Sequence, residues 1–157
     1  KILKILQINF QGFKIKGFSL LEMIIVIVLI AIIGSYAIPK FTNMSYKANI
    51  TTLKSQLALI QNGITNLKNK NILLSNTQEL TFLDSASSNN SGEKLFTKVI
   101  DFSIISTNNT KKEQAMWAKT SNNSYTFYLL SDRSVLFSLE DGNFLCESEA
   151  ELCKEVE

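Results

Sequence analysis

The stretch Gly17–Pro39, GFSLLEMIIVIVLIAIIGSYAIP, decides how the rest of the chain is read. Between Phe18 and Ile38 lie twenty-one residues with a single charge, Glu22, and an unbroken apolar run from Met23 to Ile33. A helix rises about 1.5 Å per residue, so about 20 apolar residues cross the hydrocarbon of a bilayer. A soluble core helix of this length carries a polar stripe, and none appears between Glu22 and Ser35. The sequence therefore predicts a membrane span. Glu22 lies one turn inside it, where a carboxylate costs on the order of 1–3 kcal/mol to insert, depending on depth. A compensating partner is expected. Ahead of the run stand a basic segment and Lys16-Gly17-Phe18, with a small residue at the junction, as a processing site requires.

Gly17-Phe18-Ser19-Leu20-Leu21-Glu22 followed by a long apolar helix resembles the class III signal of type IV pilins and type II secretion pseudopilins. In that family a membrane-embedded aspartyl peptidase cuts after the glycine and methylates the new N-terminus. The resemblance implies cleavage between Gly17 and Phe18 and N-methylation of Phe18. It makes Glu22 the glutamate that guides assembly and Pro39 the helix-bending proline near the membrane exit. It covers only the N-terminal third of the chain.

The rest is bounded by composition. The 157 residues leave room for an anchor and one modest domain. The formal charge of +2 hides an asymmetry: taking the four lysines of residues 1–17 from sixteen basic residues leaves twelve against fourteen acids, a net of −2. A broad basic face for nucleic acid is therefore unsupported, and no direct nucleic-acid binding is expected. The leader lysines instead place the N-terminal flank in the cytoplasm and export the remainder; Lys40 and Lys47, beyond the span, weaken this bias slightly.

The chain has no histidine, which removes Ser-His-Asp and Cys-His catalysis and histidine metal sites together. Cys146 and Cys153 are the only cysteines, and both lie on the exported side. In an oxidising compartment they are expected to form a disulfide, the alternative being two free buried thiols.

After Pro39 the pattern becomes amphipathic. Ile50, Leu53, Leu57, Ile60, Ile64 and Leu67 repeat at three- and four-residue spacing, which puts them on one helical face. Gly63 is expected to weaken this helix by about 1 kcal/mol relative to alanine, and Asn69-Lys70-Asn71 to end it. Glu79–Leu83 suits a short strand, and Leu95–Ile105 fits helix in its first half and strand in its second. Residues 115–119, 125–130, 135–139 and 143–146 are β-prone runs separated by turns, with Asp141-Gly142 a strong hairpin signal. Trp117 is expected to pack in the core or on a sheet face. The tail from Glu140 holds seven acids against Lys154. A calcium loop would need several such oxygens, but EF-hand spacing is lacking and a solvated acidic tail is expected.

The expected fold is α+β and pilin-like: a long N-terminal helix, one half in the membrane and one amphipathic, packed on a small C-terminal antiparallel sheet. The expected parts are a leader at 1–17, a transmembrane assembly half at 18–39, an amphipathic half at 40–71 and a globular region with a β-meander at 72–157. The resemblance implies a non-enzymatic filament subunit, a minor pilin or pseudopilin of a type IV pilus or type II secretion system, without cofactor or metal. Its partners would be other pilin subunits, the prepilin peptidase, an inner-membrane assembly platform and membrane lipid. It would sit in the bacterial inner membrane as a single-pass protein with its C-terminal domain in the periplasm, then join an envelope or surface filament. The competing reading is a singly anchored periplasmic binding or sensor domain whose span is only a tether.

Overall fold

The computed structural model describes residues 17–75 and 79–156. The reading of residues 1–16 as a processed leader lies outside them. Eight elements follow in order: α1 (Leu20–Leu73), β1 (Lys94–Leu95), β2 (Ile104–Ile105), β3 (Met116–Lys119), β4 (Ser124–Tyr128), β5 (Ser134–Glu140), β6 (Asn143–Cys146) and α2 (Ala150–Val156). This is α+β, with a long N-terminal helix and a small antiparallel sheet toward the C-terminus. The chain divides into two compact units between Lys40 and Phe41.

The first unit holds the apolar half of α1, long and apolar enough to cross a membrane. Every large apolar side chain from Met23 to Ile33 is exposed, from 41% at Val26 to 67% at Ile33.

In the second unit α1 buries Ile50, Leu53, Leu57, Ile60 and Ile64, the stripe that its spacing predicts; Leu67 is only half-buried. Each such side chain contributes about 1.5–3 kcal/mol when fully removed from water. The helix passes Asn71 and stops at Leu73. Leu74 donates to the Lys70 carbonyl, Ser75 to that of Ile72, and Ser75 takes a left-handed φ of 49° that closes the last turn.

Strands β3-β4-β5-β6 form an antiparallel meander in that spatial order. Register aligns Trp117, Phe127 and Val135, and aligns Lys119, Tyr125, Phe137 and Cys146. Alternation puts these residues on one face. Rings from that face join Phe96 and Phe144 in one cluster, with centroids from 4.7 Å (Phe96–Tyr125) to 6.0 Å (Trp117–Phe144) apart. Trp117 is fully buried, and its indole N–H donates to Gln56 Oε1 on α1 at 2.7 Å. The Asp141-Gly142 turn has positive φ at both residues, 49° and 69°, the type I′ geometry that suits the twist of a hairpin.

Three expectations are corrected. Glu79–Leu83 forms no strand; it is an irregular segment that ends in the buried pair Leu83 and Asp84. Leu95–Ile105 has no helix in its first half, and the strand in its second half is only Ile104–Ile105: β1 and β2 pair over two residues each, and turns lie between them. The described acids of the tail are exposed as expected, but the tail is not only solvated chain, because residues 150–156 form α2, with Val156 fully buried and Leu152 against the core. The spacing of Leu152 and Val156, one helical turn apart, carries that signal beneath the acids.

Candidate functional site

Gly17 and Phe18 lie in non-helical chain just before α1, with Phe18 73% exposed. Among the described residues, a Cβ built on Gly17 would meet nothing within 4 Å.

Ser19 terminates the helix. Its Oγ accepts the Glu22 N–H at 3.4 Å, and its carbonyl accepts from Met23 N at 3.2 Å. Ser19 is thus the N-cap and Glu22 the third helical residue, the Ser-x-x-Glu spacing of a capping box. A carboxylate in this turn also meets the positive end of the helix dipole. Sequence reasoning leaves Ser19 without a role; its distance from Glu22 was the available signal. Among the described residues the Glu22 carboxylate has no ion-pair partner.

Pro39 lies within α1, which continues through it. Its ring nitrogen carries no hydrogen to give the Ser35 carbonyl. The Ser35 hydroxyl donates to the Ile32 carbonyl at 2.8 Å.

Cys146 and Cys153 are disulfide-bonded, with Cα atoms 5.7 Å apart, and tie α2 to β6 in the second unit. Among the described residues no three Cys, Asp or Glu side chains gather as metal ligands would.

A family model described as "Prokaryotic N-terminal methylation motif" matches residues 12–38. It therefore contains Gly17, Phe18, Ser19, Glu22 and the apolar run. This supports the type IV pilin and pseudopilin family. The motif supports a pilin-type substrate of a prepilin peptidase, anchored in the membrane through the apolar helix. No curated protein and no solved structure matches the chain.

The second unit holds one constellation that sequence reasoning misses. Lys119 Nζ stands 2.8 Å from Asp84 Oδ1, with both side chains buried. The ammonium also donates to the Ala86 carbonyl at 2.9 Å. Asp84 accepts from Ala86 N at 3.1 Å, from Phe96 N at 2.9 Å and from the Tyr125 hydroxyl at 2.9 Å. Burial, reinforced by the Asp84 charge, pushes the Tyr125 hydroxyl far above its ordinary range, so it stays a donor. Phe96 carries a φ of 59°, costly for a bulky residue, and the bond from its N–H to Asp84 helps to hold it there.

A cavity of about 350 Å³ lies beside the pair, lined by residues that include Phe82, Asp84, Lys119 and Asn122. The pair's polar atoms are satisfied from within the fold. The cluster is a clasp between the irregular segment and the sheet. Its signal was Lys119 in phase with Trp117, which puts a charge on the core face and demands a partner.

Proposed function

We propose that this chain is a non-enzymatic subunit of a type IV pilus-like or type II secretion pseudopilus filament, a minor pilin or pseudopilin. A prepilin peptidase cuts it between Gly17 and Phe18 and methylates Phe18. The observation that carries the reading is the methylation motif coinciding with an apolar helix half whose large side chains are all exposed. That half is to be covered by lipid first and by neighbouring subunits afterwards. Gly17 supports the same reading: it stands directly before Phe18 at the start of the apolar run, inside the matched motif.

Cleavage creates an amine at Phe18, and methylation leaves it charged. The Glu22 carboxylate, without an ion-pair partner among the described residues, then faces this amine of its own chain or of a neighbour. In low dielectric the pair favours the register that brings the charges together. Beyond the span the second unit stands in the periplasm, and the inner-membrane assembly platform feeds the processed helix into the filament.

Mass spectrometry of membrane-extracted protein is expected to find a chain beginning at N-methylated Phe18; a mature chain retaining Lys14 and Lys16 overturns the reading. Glu22→Leu separates filament subunit from simple tether. The variant is expected to insert and be cleaved, yet to stay out of the filament, because the Phe18 amine has lost its counter-charge. A processed Glu22→Leu chain that assembles normally removes the pair as the registering device.

A further inference from the structure

Helix α2 has only seven residues, two turns, and helices this short do not persist alone in water. Its place in the fold rests on three attachments. Cys153 is bonded to Cys146 at the end of β6. Val156 is fully buried in the core, and the half-buried Leu152 packs against it. Glu155 Oε2 accepts a hydrogen bond from the hydroxyl of the half-buried Tyr46 at 2.8 Å, which tethers the helix to α1 where α1 enters the second unit. The Arg133 guanidinium, from the β4–β5 turn, lies 5.6 Å from the centroid of the same tyrosine ring.

The chain before α2 is held differently. Glu147 N donates to the Leu136 carbonyl at 2.8 Å, Ser148 Oγ accepts from Leu136 N at 2.8 Å, and the Ser138 hydroxyl donates to Glu147. These bonds fasten residues 147 and 148 to β5 whatever the state of the cysteines. The first covalent hold beyond them is Cys153. A hinge at Glu149 therefore separates a segment clamped by the sheet from a helix held by the disulfide, the apolar contacts of Val156 and Leu152 and one tyrosine–glutamate bond.

We propose that α2 is a redox-closed latch over the Tyr46 end of α1. With the disulfide formed, Val156 is seated and Glu155 holds the Tyr46 hydroxyl. A dithiol reductant transfers two electrons and two protons to the disulfide, giving thiols at Cys146 and Cys153 and leaving the reductant as its own disulfide. Once cut, α2 melts from the hinge outward, Val156 leaves the core and the Tyr46 ring is uncovered. The sheet keeps its pairing, because no β3–β6 ladder bond passes through α2. The latch is closed where thiols are oxidised and open where they are kept reduced, and this holds whether or not the chain is a filament subunit.

Hydrogen exchange on the full chain in detergent, with and without a phosphine reductant, tests this. Reduction is expected to lower protection at 150–156 at least tenfold and to raise hydroxyl-radical labelling of Tyr46, with residues 116–140 unchanged. The double variant Cys146→Ser/Cys153→Ser is expected to match the reduced chain and to ignore the reductant. Val156→Ala, kept oxidised, is expected to loosen only the end of α2. Retained protection at 150–156 after reduction overturns the latch, since the apolar contacts and the tyrosine bond then suffice. Loss of protection across 116–140 also overturns it, since the disulfide is then a general staple.

Discussion

Between Met23 and Ile33 every large apolar side chain of α1 is at least 41% exposed, whereas between Ile50 and Ile64 the five that form a stripe are at most 7% exposed. Residue types do not explain the difference, since isoleucine and leucine dominate both stretches. Arrangement does. A helix apolar all round has no side to turn to water and needs an apolar solvent or apolar neighbours; a helix with one stripe needs only its own sheet. The first half is written for partners outside the chain, the second for partners within it. Substitutions should divide the same way.

The largest effect is expected at the buried clasp. Asp84→Ala leaves the Lys119 ammonium buried without its counter-charge and strips the Phe96 N–H and Tyr125 hydroxyl of an acceptor. Breaking such a pair costs about 3–5 kcal/mol. Urea unfolding followed by fluorescence of Trp117, the single tryptophan, reads it directly. Asp84→Leu with Lys119→Met should recover much of the loss. Ile27→Ala, in the exposed half, should leave this transition where it was. If Ile27→Ala lowers it as Asp84→Ala does, the two stretches are not energetically separate.

The two glycines of α1 sharpen the contrast. A Cβ on Gly34 would meet nothing within 4 Å, so Gly34→Ala is expected to strengthen the helix by about 0.5–1 kcal/mol. A Cβ on Gly63 would stand 2.0 Å from the Val99 carbonyl oxygen. Backbone would have to move, and Gly63→Ala is expected to destabilise the second unit by about 1–3 kcal/mol, as overpacking does. Propensity alone gives both substitutions the same sign. Thermal unfolding of the two variants, followed by circular dichroism, decides whether close approach reverses it at Gly63.

What was legible follows from the range of each interaction. The β3–β6 meander shows in short β-prone runs set apart by turn residues, and the α1 stripe shows in three-four spacing, because both are local regularities. The motif around Gly17 shows because a processing enzyme reads contiguous residues. Asp84 and Lys119 stand thirty-five positions apart in ordinary polar surroundings, so no local pattern joins them. Gly63 reads as a helix weakness until Val99 is known to lie against it. The stretch from 79 to 113 resists assignment because it contains two paired dipeptides and turns, held by scattered backbone bonds and side chains rather than by a continuous ladder.

The smallest expected effect lies in that stretch. The Glu93 carboxylate accepts from Ser87 N at 2.6 Å and from the Asn90 side-chain amide, fixing the loop that precedes β1. The bond from the Ser87 backbone first, and the Asn90 amide second, hold its carboxyl below the ordinary value of 4.5. A carboxyl whose pKa is depressed by folding adds stability that is present above its unfolded pKa and is lost as pH falls through the folded one. Water reaches this group and screens it, so the contribution is slight. The measurement is a difference: Tm of the wild type minus that of Glu93→Gln, from about pH 7 down to about pH 3. Other carboxyl groups protonate in both proteins and largely cancel. The difference should be small and positive at neutral pH and should close toward zero on the acid side. A difference that persists at the acid end would mean that the shape of the acceptor, and not its charge, holds the loop.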